Sequence, residues 1–211
     1  MNTNMTMKRF LVALLAMGGM SLALANTEES DICSPFMDGK VDEATVATML
    51  DAAESGYLYR IRRDTSQVGF CVSSGWTQVK GQFSHFSGGL ALVPDDSMHT
   101  ADEQAMVMIQ TASLDTRSDM VEGLIKSESF FDVEHFPEIL FVSHGFIWTG
   151  DDTAQIIGDL TVRGITRQVI FDVTLTPIEL PGNGTVERLL VKAKTTIHRS
   201  DFGMDSLPGL V

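Results

Sequence analysis

From Ser66 to Arg199 the chain repeats one pattern: short runs in which apolar and polar residues alternate, each cut off by residues that turn the backbone. Ser66, Val68, Phe70 and Val72 alternate with Gln67, Gly69, Cys71 and Ser73, which gives a strand two unlike faces. The alternation returns at Val79–Phe83, Leu90–Val93, Ala105–Thr111, Ile139–Phe146, Gln155–Val162, Gln168–Thr176 and Leu189–Arg199. Between the runs lie Gly88-Gly89, Pro94-Asp95-Asp96, Thr149-Gly150-Asp151-Asp152, Arg163-Gly164 and Pro181-Gly182-Asn183-Gly184, residue types that favour turns. About eight short strands joined mostly by tight turns predict a mainly β, antiparallel fold that closes into a barrel or packs as a sandwich.

Two segments follow the helical period instead. Val46, Met49, Leu50 and Ala53 share a face, with Asp42 as N-cap and Gly56 as the residue after the end, so a helix is expected over 42–55, packed on the outside of the strands. Ser118–Ser127 carries Val121, Leu124 and Ile125 on one face and Ser118 in a capping position, which predicts a second helix that plugs or lids one end of the sheet.

The first 25 residues form a different kind of segment. Lys8 and Arg9 precede an apolar stretch from Phe10 to Leu24, and Ala23-Leu24-Ala25 has the small-x-small form of a cleavage site. That stretch suits a secretory leader and is short for a membrane span, so residues 1–25 are expected to direct export with cleavage after Ala25, an uncleaved anchor being the alternative. Residues 26–56 then form an N-terminal extension with the first helix, and the remaining chain is one domain.

The net charge is −13, from 28 acids against 15 Lys and Arg, with no extended cluster of basic residues. Phosphate contacts need such clusters, so nucleic acid and anionic membrane surfaces are excluded as partners. Export also bears on the two cysteines. A Cys33–Cys71 disulfide is expected in an oxidising compartment, where closing that loop contributes roughly 4 kcal/mol; two unpaired thiols are the alternative.

Patterns that carry chemistry do not appear. The five histidines are scattered without HxxxH, HExxH or Cys/His grouping, and there is no GxSxG elbow, Walker loop or GxGxxG fingerprint. No metal, no cofactor and no enzymatic activity is therefore expected. What stands out is a set of phenylalanines on the alternating faces: Phe70, Phe83, Phe86, Phe130, Phe131, Phe141, Phe146, Phe171 and Phe202. Core packing explains any one of them. As a set they also suit a closed sheet of about eight strands, whose interior is filled by its own side chains or holds one small elongated ligand.

Short motifs in a fixed order add a family resemblance. Leu58-Tyr59-Arg60-Ile61, Ser66 to Phe70, Gly81 to Gly88, Ser113-Leu114-Asp115-Thr116, Phe130-Phe131-Asp132 before Phe136-Pro137, Gly158-Asp159-Leu160-Thr161 with Gly164-Ile165-Thr166, and Arg199 to Met204 resemble the YceI-like polyisoprenoid-binding family over about residues 57–205. The resemblance implies a lipocalin-like antiparallel barrel over residues 57–211, in the periplasm, that binds an isoprenoid or other long-chain amphiphilic lipid without chemistry of its own. It also implies a place in isoprenoid quinone or prenyl-lipid handling, and some members resemble dimers. An interaction module for a membrane redox protein is the alternative function, and a lipid-modifying enzyme using Asp115 or Asp132 a third. The family pattern continues past Phe202-Gly203-Met204 into a closing strand, whereas this sequence has nine residues after Phe202, Pro208 and Gly209 among them; the two alternatives are a truncated sequence and a barrel that closes imperfectly without its final strand.

These readings define a candidate site. Val68, Phe70 and Val72 are taken as lumen lining, together with Phe83 and Phe86 on the next strands. Phe130 and Phe131 follow the second helix, and Phe141, Leu160, Phe171 and Val173 come from the long strands. Parity on the last strand turns Val191, Ala193, Thr195 and Ile197 inward, leaving Lys192, Lys194, Thr196 and His198 in solvent. Phe202 completes the lining. Asp115, Asp132, Arg199 and Asp201 are expected at a polar mouth, where Arg199 pairs with one of the acids or meets a ligand head group.

Overall fold

A computed structural model describes residues 43–55, 57–74, 77–92, 103–178 and 188–205. Among the described residues are ten strands and two α-helices. In chain order these are α1 (Glu43–Glu54), β1 (Leu58–Arg60), β2 (Val68–Ser74), β3 (Thr77–Phe83), β4 (Phe86–Ala91), β5 (Gln104–Gln110), β6 (Leu114–Thr116), α2 (Asp119–Lys126), β7 (Glu138–Trp148), β8 (Thr153–Val162), β9 (Ile165–Ile178) and β10 (Arg188–Lys194). Every described strand pair is antiparallel. Seven strands form a curled half-barrel in the order β1-β4-β5-β7-β8-β9-β10, and β2-β3-β6 form a second, smaller sheet. The expected antiparallel, barrel-like architecture is therefore present. The strand count exceeds the expectation because β1 and β6 have three residues each, too few to show an alternation.

The large sheet is apolar on both faces. On β5, Ala105, Val107 and Ile109 point to the main core, while Met106 and Met108 point outward under α1. Met49 and Ala52 of α1, exposed by 0% and 2%, close that second cluster against Ala91. The helix thus packs outside the sheet, as its periodicity implied. Its buried face is turned relative to the expected one: Thr45, Met49 and Ala52 are covered, and Leu50 is exposed. Asp42 and Gly56 lie outside the described residues.

Three further expectations are corrected. Gly88-Gly89 is no turn but the middle of β4, where the neighbouring strand leaves no room for a side chain; a Cβ on Gly88 would come within 2.1 Å of the Met106 carbonyl. Ser118 takes the N-cap position of α2, but its side chain makes no capping hydrogen bond. Leu124 is exposed, so Ile125 and Val121 alone fasten α2 to the core.

The β8–β9 connection does follow the sequence. Arg163 and Gly164, at φ 50° and 68°, form a two-residue hairpin between paired Val162 and Ile165. Arg163 holds the left-handed backbone unusual for its type, and its guanidinium is tied down by a 2.8 Å hydrogen bond to the Gly203 carbonyl and by stacking 5.9 Å over the Phe136 ring.

Candidate functional site

The strands place a row of aromatic rings on the inner face. Phe70 of β2, Phe83 of β3 and Phe131 of the loop after α2 form a triangle with centroids 5.7–5.9 Å apart. Phe141 and Phe171, on β7 and β9, meet edge to face at 4.9 Å. Both groups use glycine as a seat: a Cβ on Gly81 would lie 2.6 Å from the Phe70 ring, and one on Gly158 2.6 Å from the Phe141 ring. A side chain at either glycine would occupy the space that the ring now fills.

Most expected lining residues are found together. Phe83, Phe141, Leu160, Val173 and Phe202 are buried in the main core, and Val68, Phe70, Phe130, Phe131 and Phe171 pack against it half-buried. Val72 is half-buried on β2, and Phe86 is buried on β4. Ile197 departs from its expected place, since β10 ends at Lys194 and Ile197 is 39% exposed. Parity holds for Leu189 and Val191, which face the core, and lapses at Ala193, which is exposed. Past Asp172 the edge of β9 has no partner in β10, and an open groove of about 560 Å³ runs there between β9 and residues 194–198.

The four expected mouth residues have different surroundings. Asp115 is exposed and accepts a long, 3.4 Å hydrogen bond from Gln82 Nε2. Asp201 is exposed in the 3-10 turn Arg199–Phe202. Arg199 is half-buried, with its guanidinium 5.7 Å over the Phe130 ring and its Nη1 donating to the Met204 carbonyl at 2.9 Å. Asp132 sits at φ 50° and pairs with His135 Nδ1 at 2.8 Å. The expected disulfide is not seen: Cys71 is a free, exposed thiol, and Cys33 lies outside the described residues.

The Asp132–His135 pair closes the loop that carries Phe130 and Phe131. The hydrogen bond to Asp132 and its negative charge raise the imidazole pKa above its ordinary value, with Glu128 and Glu134 adding smaller pulls. A folded-state value above the unfolded one gives stability that is full below about pH 6.5 and is lost as the pH rises through the raised value. His135 is exposed, so the effect is modest and screened by salt. Melting temperatures of wild type and His135→Gln, measured from about pH 5.5 to 8, are expected to differ at the acid end and converge at the alkaline end. A constant difference would show that the pair does not clamp the loop.

Four residues absent from the expected lining and mouth, Ser143, Phe146, Trp148 and Glu103, lie at this face. A β-bulge shifts the β7–β8 register between Ser143 and Gly145, so the inner face passes from odd residues (Ile139, Phe141, Ser143) to even ones (Phe146, Trp148). Ser143, 1% exposed at the bulge, accepts the Ala105 N–H through its hydroxyl at 2.7 Å. Trp148 packs against Phe146, the rings tilted by 52° with centroids 5.2 Å apart, and donates its indole N–H to both carboxylate oxygens of Glu103, at 3.0 and 3.2 Å. Glu103 is a buried acid, 8% exposed, just ahead of β5. Gly145 within a strand-like run was the available signal, because an interior strand glycine often marks a bulge.

Residues 59–211 match the model of the YceI-like domain. The chain belongs to the YceI-like family. A UPF0312 protein of Pseudomonas putida is 34% identical over 131 residues, 62% of this YceI-like chain and 66% of that relative. A UPF0312 protein of Vibrio parahaemolyticus is 28% identical over 128 residues, 60% and 66% of the two chains. This YceI-like chain thus spans just under two thirds of the length of the curated relatives it matches. Among solved structures, BcnA of Burkholderia cenocepacia superposes with a TM-score of 0.56 at 25% identity, covering 67% of this chain and 83% of its own.

Proposed function

We propose that this YceI-like protein is a non-catalytic binder or carrier of an isoprenoid or other long-chain lipid in the periplasm, with the chain of the lipid lying along the aromatic inner face. The observation that carries this reading is the incomplete burial of that face: Phe70, Phe130, Phe131, Phe146 and Phe171 remain half-exposed although they pack against the core. A guest chain would cover them. Each isoprene unit brings about five carbons, worth at most roughly 3–4 kcal/mol when fully buried, against about 1 kcal/mol for a neutral hydrogen bond. Tail burial therefore dominates affinity, and selectivity follows chain length. The export reading rests on the leader at residues 1–25.

Native mass spectrometry of the gently purified protein tests the proposal. The expected spectrum contains a long-chain lipid adduct that organic extraction removes and a prenyl lipid restores. A protein that is empty on purification, and takes up no prenyl chain on titration, would overturn the carrier reading in favour of an interaction module.

A further inference from the structure

The large sheet is open along one edge of β9. Residues 165–171 pair with β8 on one side, but β10 ends opposite Asp172, and residues 195–198 run on beside β9 without strand pairing. Among the described residues, no hydrogen bond or ion pair joins residues 195–198 to β9. The groove of about 560 Å³ left between them has both apolar and polar walls. Val169 and Phe202, buried members of the main core, form its floor. Ile170 and Ile197, 49% and 39% exposed, stand on its rim beside Thr195 and Thr196. Strands held by a ladder cannot part without leaving several backbone groups unpaired together, which is costly. Separating residues 195–198 from β9 gives up side-chain contact alone, so the wall opens here more readily than along its paired strands.

On the carrier reading, on which this step rests, we infer that this groove is the passage by which a long-chain prenyl lipid enters and leaves the inner face, crossing the sheet sideways between β9 and residues 195–198. An amphiphile moving between water and an apolar interior needs both kinds of surface at the opening. The tail meets Ile170 and Ile197 first, then Val169 and Phe202, while the head stays among the threonine hydroxyls and water and is never stripped of partners. Of the charged residues that line the groove, Arg167 and Lys194 balance Asp172 and Asp201, so the opening turns away neither sign of head group although the whole protein carries −13.

A passage differs from a holding site in its kinetics. It lies on the route and not at the end, so obstructing it slows entry and exit alike and leaves the affinity where it was. Thr196→Cys, at an exposed position of the groove, is made in the full chain with Cys33→Ser and Cys71→Ser, capped with a bulky aryl thiol as a mixed disulfide, and later freed with reductant. Stopped-flow fluorescence follows uptake of a dansyl-tagged farnesyl probe and its release into excess farnesol. Capping is expected to slow uptake and release each by at least about tenfold, with Kd within about twofold, and reductant to restore both rates. The same cap on Met120→Cys of α2, a residue 82% exposed, is expected to change neither rate. Ile170→Asp/Ile197→Asp, at two exposed rim positions of the otherwise wild-type chain, repeats the test without a cap and is expected to slow both rates by at least about fivefold. Rates unchanged in both groove variants, or slowed more by the cap on Met120→Cys, overturn the passage and leave lipid binding intact. A weakened Kd with unslowed uptake makes the groove a holding site and overturns it too. If the wild-type chain takes up no probe, the carrier reading falls and the passage with it.

Discussion

Phe70→Asp is expected to abolish uptake of a prenyl lipid, while Asp115→Ala leaves it within about twofold of wild type. The contrast follows from where the two residues sit. Phe70 is half-buried, its ring resting on Gly81 and touching both Phe83 and Phe131, so a carboxylate there faces the surface that a lipid tail would cover. Seating a hydrocarbon chain against it strips its water and supplies no partner, at a cost of several kcal/mol. Because the position is half-exposed, the variant keeps water around the charge and folds. Phe141, 8% exposed, is less suitable for a charge; Phe141→Ala there is expected to cost about 3–5 kcal/mol of stability, a large share of the roughly 5–15 kcal/mol that holds a domain together. Asp115 accepts one long hydrogen bond at the surface, and its loss should change stability by no more than about 0.5 kcal/mol. Fluorescence titration with a prenyl alcohol reads uptake, and urea melts read stability. Uptake retained in Phe70→Asp and lost in Asp115→Ala would move the weight to a catalytic acid.

Period-two alternation carried much of the fold in plain view. It marked the long strands β7, β8 and β9, and Gly164 in Arg163-Gly164 marked the hairpin between the last two, because glycine takes the positive φ of a two-residue turn without strain. What alternation could not carry was a change of phase. The bulge after Ser143 exchanges inner and outer faces within one strand, so Phe146 and Trp148 reach the interior on the parity opposite to Phe141. Nor could it mark where pairing stops. The run Leu189–Arg199 continues to alternate after β10 has ended, which is why Ile197 was expected inside and is exposed. Gly88-Gly89 shows a third limit: glycine serves both turns and close strand approach, and only the neighbouring Met106 carbonyl tells which. Glu103 was illegible for a related reason, since an acid ahead of a strand, here following Asp102, belongs by default to the surface.

The glycine seats give the most sensitive test of the inner face. A Cβ at Gly158 would stand 2.5 Å from the Val142 carbonyl oxygen and 2.6–2.7 Å from the Phe141 ring. The ring can swing aside, but the carbonyl belongs to the paired strand, and moving it breaks the β7–β8 ladder, in which Ser143 faces Gly158. Gly158→Ala is therefore expected to lose about 3 kcal/mol or more, and Gly158→Val to prevent folding. Gly123 of α2 is the control: nothing lies within 4 Å of its built Cβ, and Gly123→Ala in that exposed helix is expected to gain about 0.5–1 kcal/mol. Steric strain shared between ring and backbone should also make the seat non-additive. Phe141→Ala removes the ring contact but leaves the carbonyl, so the double variant Phe141→Ala/Gly158→Ala should cost less than the sum of the singles by about 1 kcal/mol. Additive losses in urea melts would mean that Phe141 does not rest on Gly158, and the broad apolar surface proposed for the lipid would lose its central support.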